Sequence, residues 1–393
     1  MARVLITVPP LTGHLNPALA LARQLAAEGH ELAWAVHAQR IGDKLPAGAR
    51  VYALDDEIQS EDLGSASPKV RGIESVRVFF EDYTMPMARQ VLAPLEAAAR
   101  DFAPDVMLVD HQMPAGALVA RKLDLPWATQ VTTSASILKM SPVLDAWVAE
   151  QYRSLQQDYL PAEKRVERPD FSPQCVIVWS IEALLGNAHA RVPAPYLFVG
   201  PPQTQNRRGI EFPWSWLDAS RRCLLVSLGT VSRDRDTRFF EVMLQALAQL
   251  PQLQAVMVAP ASLAAQAPDN VLVRDYVPQV ELLSRVSGVI CHAGHNTVCE
   301  ALSQNLPLIV APIRDDQPVI ARQVIDAGAA LFMRHGKVTP ETALKTIQTL
   351  LDSPQLAERA GALGAQLRQA PGEAGAAAAL LALACAETEQ LPC

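Results

Sequence analysis

The sequence predicts an α/β protein built of two doubly wound domains that face each other across a cleft. Short β-rich runs alternate with stretches whose apolar residues recur at helical spacing, and this alternation breaks near Gly200 and then restarts. The length, 393 residues, is too great for one ordinary core and suits about two domains. Half of the residues are hydrophobic and 19% are charged, which excludes disorder as the general state.

Arg3 to Val8 is the first expected strand, and Leu11 to Asn16 the loop after it. A helix should cover Pro17 to Glu28, with Asn16 as its cap and Pro17 at the first helical position. Gly29 ends that helix, and Glu31 to Val36 is a second strand. The pattern recurs as a strand at Val106 to Val109, a helix at Ala115 to Leu123 and a strand at Ala128 to Val131. Two less regular stretches, Glu57 to Arg89 and Ser136 to Asp170, carry aromatic and methionine side chains suited either to a binding cleft or to anchoring surface helices. The Pro/Gly/polar stretch Gly200 to Gly209 reads as a linker. Beyond it come strands at Cys223 to Leu228, Gln254 to Val258, Gly288 to Cys291 and Leu308 to Ala311, and a helix at Thr237 to Leu250. The expected division is 1–203, 204–370 and a helical tail over 371–393, the tail packing on a domain.

Composition narrows the function. Lysine and arginine total 34 against 41 acidic residues, a net charge of −7, which argues against a nucleic-acid partner. Six cysteines, Cys175, Cys223, Cys291, Cys299, Cys385 and Cys393, are scattered without a Cys-x-x-Cys pair, as suits a reduced cytoplasm. No run reaches the roughly 18–20 apolar residues that span a bilayer. The opening Met1 to Pro10 has no signal-peptide cleavage pattern and reads as a strand. The expectation is a cytoplasmic protein without stable membrane insertion.

Several strand ends carry chemistry. Ser227-Leu228-Gly229-Thr230 directly follows an expected strand, where a small hydroxyl-bearing turn lets backbone N–H groups approach a phosphate. His292-Ala293-Gly294-His295-Asn296-Thr297 follows another, with a helix expected from near Asn296, so the positive end of that helix would offer an anion site. Glu300 lies one turn beyond Asn296 on the same face, placed to accept hydrogen bonds from sugar hydroxyls or simply to favour the helix dipole. Asp315-Asp316-Gln317 sits in the loop after Leu308 to Ala311, where two carboxylates and an amide can grip several hydroxyls or form an ordinary solvated loop. His14, after the first strand, and Asp110, at the end of a later one, would open on the same edge of a parallel sheet. An imidazole of ordinary pKa near 6.5, oriented by a carboxylate, is suited to act as a general base at neutral pH. Asp234-Arg235-Asp236 resembles a metal-binding Asp-x-Asp, but acids at a helix start cap N-termini for ordinary reasons, and no metal is expected.

Tyr276-Val277-Pro278-Gln279, His292, Gly294, Asn296, Thr297, Glu300, Pro307, Pro312, Asp316 and Gln317 together resemble the donor-binding signature of the nucleotide-sugar-dependent glycosyltransferases, including its 25-residue step from His292 to Gln317. The likeness extends to Ser227-Leu228-Gly229-Thr230 and Gly13-His14-Leu15-Asn16-Pro17. Val109 to Ala117 looks most like bacterial members acting on carotenoids and macrolides. The resemblance implies the GT-B fold, two Rossmann-like domains, with an acceptor-binding N-terminal and a nucleotide-sugar-binding C-terminal domain. It implies that Tyr276 stacks on uracil, that Val277 contacts it through its backbone, and that Gln279 and Glu300 lie near the nucleoside. Ser227, Gly229, Thr230, His292, Gly294, His295, Asn296 and Thr297 would surround the diphosphate, His295 acting through its backbone, while Asp316 and Gln317 hold the hexose. The family often has tryptophan where this chain has Tyr276 and His295. His14 matches the family's catalytic histidine, so the expected activity is inverting transfer of a hexose, glucose-like, from a UDP-sugar without a metal or other cofactor. The apolar insertions of the N-terminal half, with Phe79, Met113 and Trp147, point to a lipophilic small-molecule acceptor such as a polyphenol, polyketide or terpenoid. A nucleotide-sugar epimerase or hydrolase of the same fold, or a silent sugar-nucleotide-binding protein, are the alternatives.

Overall fold

The structure, a computed structural model, describes residues 1–54, 77–139, 141–186, 195–202, 210–229 and 237–386. The chain forms two compact units: Met1–Ile181 with Asn187–Gln205 and Ala370–Cys393, and Glu182–Gly186 with Asn206–Gln369.

In the first unit seven strands form one sheet: β1 (Arg3–Thr7), β2 (Glu31–Val36), β3 (Arg50–Ala53), β4 (Val106–Asp110), β5 (Trp127–Val131), β6 (Val176–Val178) and β7 (Tyr196–Phe198). All neighbours pair in parallel, in the order β3-β2-β1-β4-β5-β6-β7. The connecting helices are α1 (Thr12–Ala27), a single turn α2 (Ala38–Ile41), α3 (Met85–Phe102), α4 (Pro114–Lys122) and α5 (Pro142–Gln157). Because side chains alternate along a strand, the apolar runs feed two cores. Leu5, Met107 and Val109 meet Val91, Leu95, Phe102 and Leu118 on one face. Val4, Ile6, Val106 and Leu108 meet Leu15, Leu19 and Leu25 on the other. The α4 helix lies so close to the sheet that a β-carbon on Gly116 would stand 2.6 Å from Thr7 and 2.8 Å from Val109.

The first helix starts a turn earlier than the sequence suggests. The Leu11 carbonyl accepts from His14 and Leu15 at 3.0 and 2.9 Å, so Leu11 is the capping residue, Asn16 is exposed within the helix, and Pro17 lies inside it. The proline ring is compatible with helical φ, and its missing N–H removes one bond, the one that would have gone to Gly13. His14 therefore rides on a helical turn instead of a loop.

The second unit holds six parallel strands: β8 (Cys223–Ser227), β9 (Gln254–Val258), β10 (Val271–Arg274), β11 (Gly288–Cys291), β12 (Leu308–Val310) and β13 (Ala330–Phe332). Their order is β10-β9-β8-β11-β12-β13. Its helices are α6 (Arg238–Ala248), α7 (Gln279–Leu283), α8 (His295–Ser303), α9 (Gln317–Asp326), α10 (Pro340–Asp352) and α11 (Pro354–Gln369).

The chain then returns to the first unit. The Gly372 N–H bonds the Val199 carbonyl at 2.8 Å, and α12 (Gly372–Ala386) packs on α1, β4 and β5. Its alanines are the reason it can approach closely: Ala376 and Ala377 are buried with Leu380 in the α1-side core. Among the described residues no helix is long and apolar enough to cross a membrane.

Candidate active site

In each sheet the strand order reverses once. In the first unit successive strands run outward from β1 to β3 and from β4 to β7, so the reversal falls between β1 and β4. In the second it falls between β8 and β11. At such a reversal the connections leave in opposite directions and open a crevice at the carboxyl ends of the strands. His14 follows β1 and Asp110 ends β4; Ser227 ends β8 and His292 follows β11. Both sets of residues singled out in the sequence thus stand at the crevice of their own sheet.

His14 and Asp110 meet. Both carboxylate oxygens of Asp110 lie 2.9 Å from His14 Nδ1. An ionised carboxylate only accepts, so Nδ1 carries the proton and Nε2 keeps its lone pair. Asp110 is wholly buried, and the Gln112 N–H and the Gln130 amide each donate to it at 2.9 Å. Burial by itself would raise its pKa, but His14, His111 and the Gln112 N–H together hold the carboxyl below its usual range. Thr132 Oγ1 stands 3.3 Å from His14 Nδ1. The neighbouring His111 places Nδ1 3.5 Å from Asp110, and burial pushes its pKa down to about 4, so at neutral pH it brings no second positive charge. His14, Asp110 and His111 each bring one possible metal-ligating atom within 4.8 Å of the others. Both Asp110 carboxylate oxygens are already engaged with His14 Nδ1.

Gln130 and Thr132 were not among the residues expected from sequence. The available signal was an amide near the end of a short, wholly buried strand, where a polar group without a purpose is costly.

In the second unit, the loops after β8, β11 and β12 emerge side by side, since Cys291 is in register with both Ser227 and Val310. The turn after β11 passes through Ala293 at a φ of 67° before Gly294 caps α8. Within α8 the first bond runs from Val298 to Gly294, so the N–H groups of His295, Asn296 and Thr297 have no carbonyl in the helix to bond. The His292 ring lies against two glycines: a β-carbon on Gly229 would stand 2.9 Å from it, and one on Gly294 2.6 Å. Gly229 also has a φ of 77°, which L side chains rarely adopt. Burial pushes the His292 pKa down to about 4, leaving the ring neutral. His295 is buried with Nε2 3.4 Å from Cys299 Sγ, so its side chain faces into the unit.

Gln279 donates to Glu300 at 2.6 Å, which fixes the carboxylate expected near the nucleoside. Tyr276 is 54% exposed, and Val277 beside it is buried. Asp316 precedes α9 and Gln317 opens it. The Gln317 side-chain oxygen accepts the N–H groups of Ile313 at 2.9 Å and Arg314 at 3.1 Å, so the amide nitrogen is the end left to face a ligand. Thr230, Asp234 and Asp236 lie outside the described residues.

Phe79 and Trp147 belong to one aromatic group of the first unit. Phe79 opens a π-helical turn over Phe79–Thr84, and Phe80 links it to Trp147 and Tyr152 at centroid distances of 6.3, 5.8 and 5.8 Å. Met113 differs from its expected place. It precedes α4 with its side chain wholly buried in the core, so it supports the crevice wall and does not line it.

Residues 244–383 match the family described as Erythromycin biosynthesis protein CIII-like, C-terminal domain. The chain is 26% identical to an uncharacterized UDP-glucosyltransferase, YojK, of Bacillus subtilis, over 97% of both chains. It is 28% identical to the oleandomycin glycosyltransferase of Streptomyces antibioticus, over 93% of this chain and 87% of that one. The crystal structure of the kitacinnamycin glycosyltransferase superposes with a TM-score of 0.80 at 24% identity, covering 100% of this chain and 99% of that one. The fold is GT-B, and the chain is similar to glycosyltransferases along nearly its whole length. It is a glycosyltransferase.

Proposed function

We propose that this glycosyltransferase moves a glucose-type hexose from a UDP-sugar to a hydroxyl of a lipophilic small molecule, with inversion at the anomeric carbon. The observation that carries the reading is the contact of His14 Nδ1 with both oxygens of Asp110, which leaves Nε2 free to take a proton. His14 would accept the acceptor's proton as the oxygen attacks, and the nucleoside diphosphate would depart from the opposite face. Asp110 would orient the ring and stabilise the imidazolium. The departing charge would be met by the first-turn N–H groups of α8 and by Ser227, with Thr230 from the sequence motif, so no metal is required. Glu300, held by Gln279, would bind the ribose, and Gln317 the hexose. Tyr276 would stack on the base, which favours a uracil nucleotide, as does the name of the Bacillus relative. Phe79 and Trp147 suit an apolar acceptor, and the Streptomyces relative is named for oleandomycin. The same reading places the enzyme in the cytoplasm, where nucleotide sugars are available.

The test is UDP release from UDP-glucose with and without a mixed panel of phenols, polyketides and terpenoid alcohols, repeated with dTDP-sugars and in EDTA. Acceptor-dependent release that survives EDTA supports the reading. Acceptor-independent turnover would replace it with an epimerase or hydrolase, and a large preference for a dTDP-deoxysugar would overturn the donor assignment. Activity lost in EDTA and restored by magnesium would overturn metal independence.

A further inference from the structure

We infer that Gln130 is a positioning residue for the His14–Asp110 pair, acting on both members at once. The inference rests on the proposed role of His14 as base. Gln130 stands on β5 directly opposite Asp110 on β4, so the parallel register brings the two side chains together at the strand ends. It is wholly buried. Its amide nitrogen donates to Asp110 Oδ2 at 2.9 Å and to the main-chain carbonyl of His14 at 3.0 Å. An amide has two N–H bonds, and here one goes to the carboxylate and the other to the backbone that carries the imidazole. One planar group thus sets the distance between the carboxylate and the first turn of α1.

The rest of the amide supports this reading. Gln130 Oε1 is buried and has no hydrogen-bond partner. A buried acceptor without a donor costs free energy, so at this position an apolar side chain of similar size would avoid a penalty that glutamine carries. That penalty is explicable if the amide's donors are needed. The donors also act electrostatically: each bond to Asp110 spreads its negative charge, which tempers how strongly the carboxylate holds a proton on the ring. Without Gln130 the carboxylate would face His14 with more of its charge, and the imidazole would become more basic but less well placed.

The experiment compares Gln130→Leu with the wild type, and Gln130→Met serves if the leucine variant fails to fold. Each is measured with an aliphatic alcohol and with a phenol acidic enough to be ionised at the assay pH. The expected result is a fall in kcat of about tenfold or more for the alcohol, since proton transfer contributes about 10²–10⁴-fold. The ionised phenol should react at close to the wild-type rate, UDP affinity should be unchanged, and the acid limb of kcat/KM should move to higher pH. In an Asp110→Asn background the Gln130 substitution should add little, because the partner through which it acts is gone. Equal losses with both acceptors would show a merely structural role and overturn the inference, as would unchanged alcohol transfer. His14→Ala is run alongside. If it retains alcohol transfer, the base assignment itself falls and takes this inference with it. If it loses alcohol transfer while Gln130→Leu does not, only the inference about Gln130 falls.

Discussion

His14 and Asp110 lie 96 positions apart and meet with Nδ1 2.9 Å from each carboxylate oxygen. The contact follows from the sheet: β1 and β4 are adjacent and parallel, so the residues leaving their carboxyl ends share one edge. It fixes the tautomer as well as the place of the ring, and from it comes the most direct prediction.

His14→Ala should lose about 10²–10⁴-fold in transfer to an ordinary alcohol, the usual worth of a general base. Binding of UDP, measured by calorimetry, should be unchanged, because every residue assigned to the nucleotide belongs to the second unit. Transfer to an ionised phenol should fall much less. A wild-type rate with an alcohol would end the base assignment.

The architecture was legible because parallel α/β sheets bury their strands on both faces. Val106 to Val109 and Gln254 to Val258 announce themselves as apolar runs between helical stretches. The short strands Arg50–Ala53, Val176–Val178 and Tyr196–Phe198 gave no such signal: all are brief, and Arg50–Ala53 is largely exposed at one edge of the sheet while Tyr196–Phe198 is half-buried at the other. The start of α1 was misread because Asn-Pro is a strong local signal for a helix beginning. Here the Leu11 carbonyl had already nucleated the turn, and the proline was tolerated within it. The His14–Asp110 pair could be anticipated from strand ends alone. Gln130 could not, since its partners are set by the register between β4 and β5, which a single sequence does not display. Met113 looked like an acceptor contact by type, and only packing shows that it is core.

Stability should decline in mild acid, and His111 and His292 supply the cause. Burial lowers each pKa from 6.5 to about 4. Between those values the unfolded chain takes up protons that the folded chain refuses. Stability is therefore full above pH 6.5 and lost as pH falls toward 4, by up to about 3 kcal/mol per histidine. Asp110, with its depressed pKa, adds a further loss as the pH falls through the acid range below its unfolded pKa. Urea denaturation at pH 7 and pH 5 should show the slope, and His111→Gln should flatten it. An unchanged slope in that variant would show that His111 is not the group responsible.

Gly294→Ala probes the phosphate loop. Gly294 has a φ of −65°, which alanine adopts freely, so any effect comes from the added methyl alone. That methyl would stand 2.6 Å from His292 Nε2, and the ring cannot retreat toward Gly229, where it is already close. The ring or the start of α8 must shift. UDP affinity should drop about tenfold or more, equivalent to about 1.4 kcal/mol. Wild-type affinity would mean that the geometry of this loop does not govern diphosphate binding.

Gln317→Glu separates recognition of the sugar from recognition of the nucleotide. The side-chain oxygen of Gln317 already accepts from the Ile313 and Arg314 backbones, and a glutamate can keep both bonds. What changes is the other end, where an NH₂ donor becomes a carboxylate oxygen. A sugar hydroxyl that accepted from the amide would lose its donor and meet a buried negative charge instead. Transfer should therefore fall by about 10–100-fold, since a hydrogen bond to a charged or buried group is worth about 1.5–3 kcal/mol. Affinity for UDP alone should be retained, because the nucleotide is assigned to other residues. The comparison needs the variant's affinity for UDP beside its affinity for UDP-glucose. A parallel fall in both would mean that the substitution disturbs the start of α9 as a whole. Loss confined to the sugar nucleotide places the hexose at the amide end of Gln317.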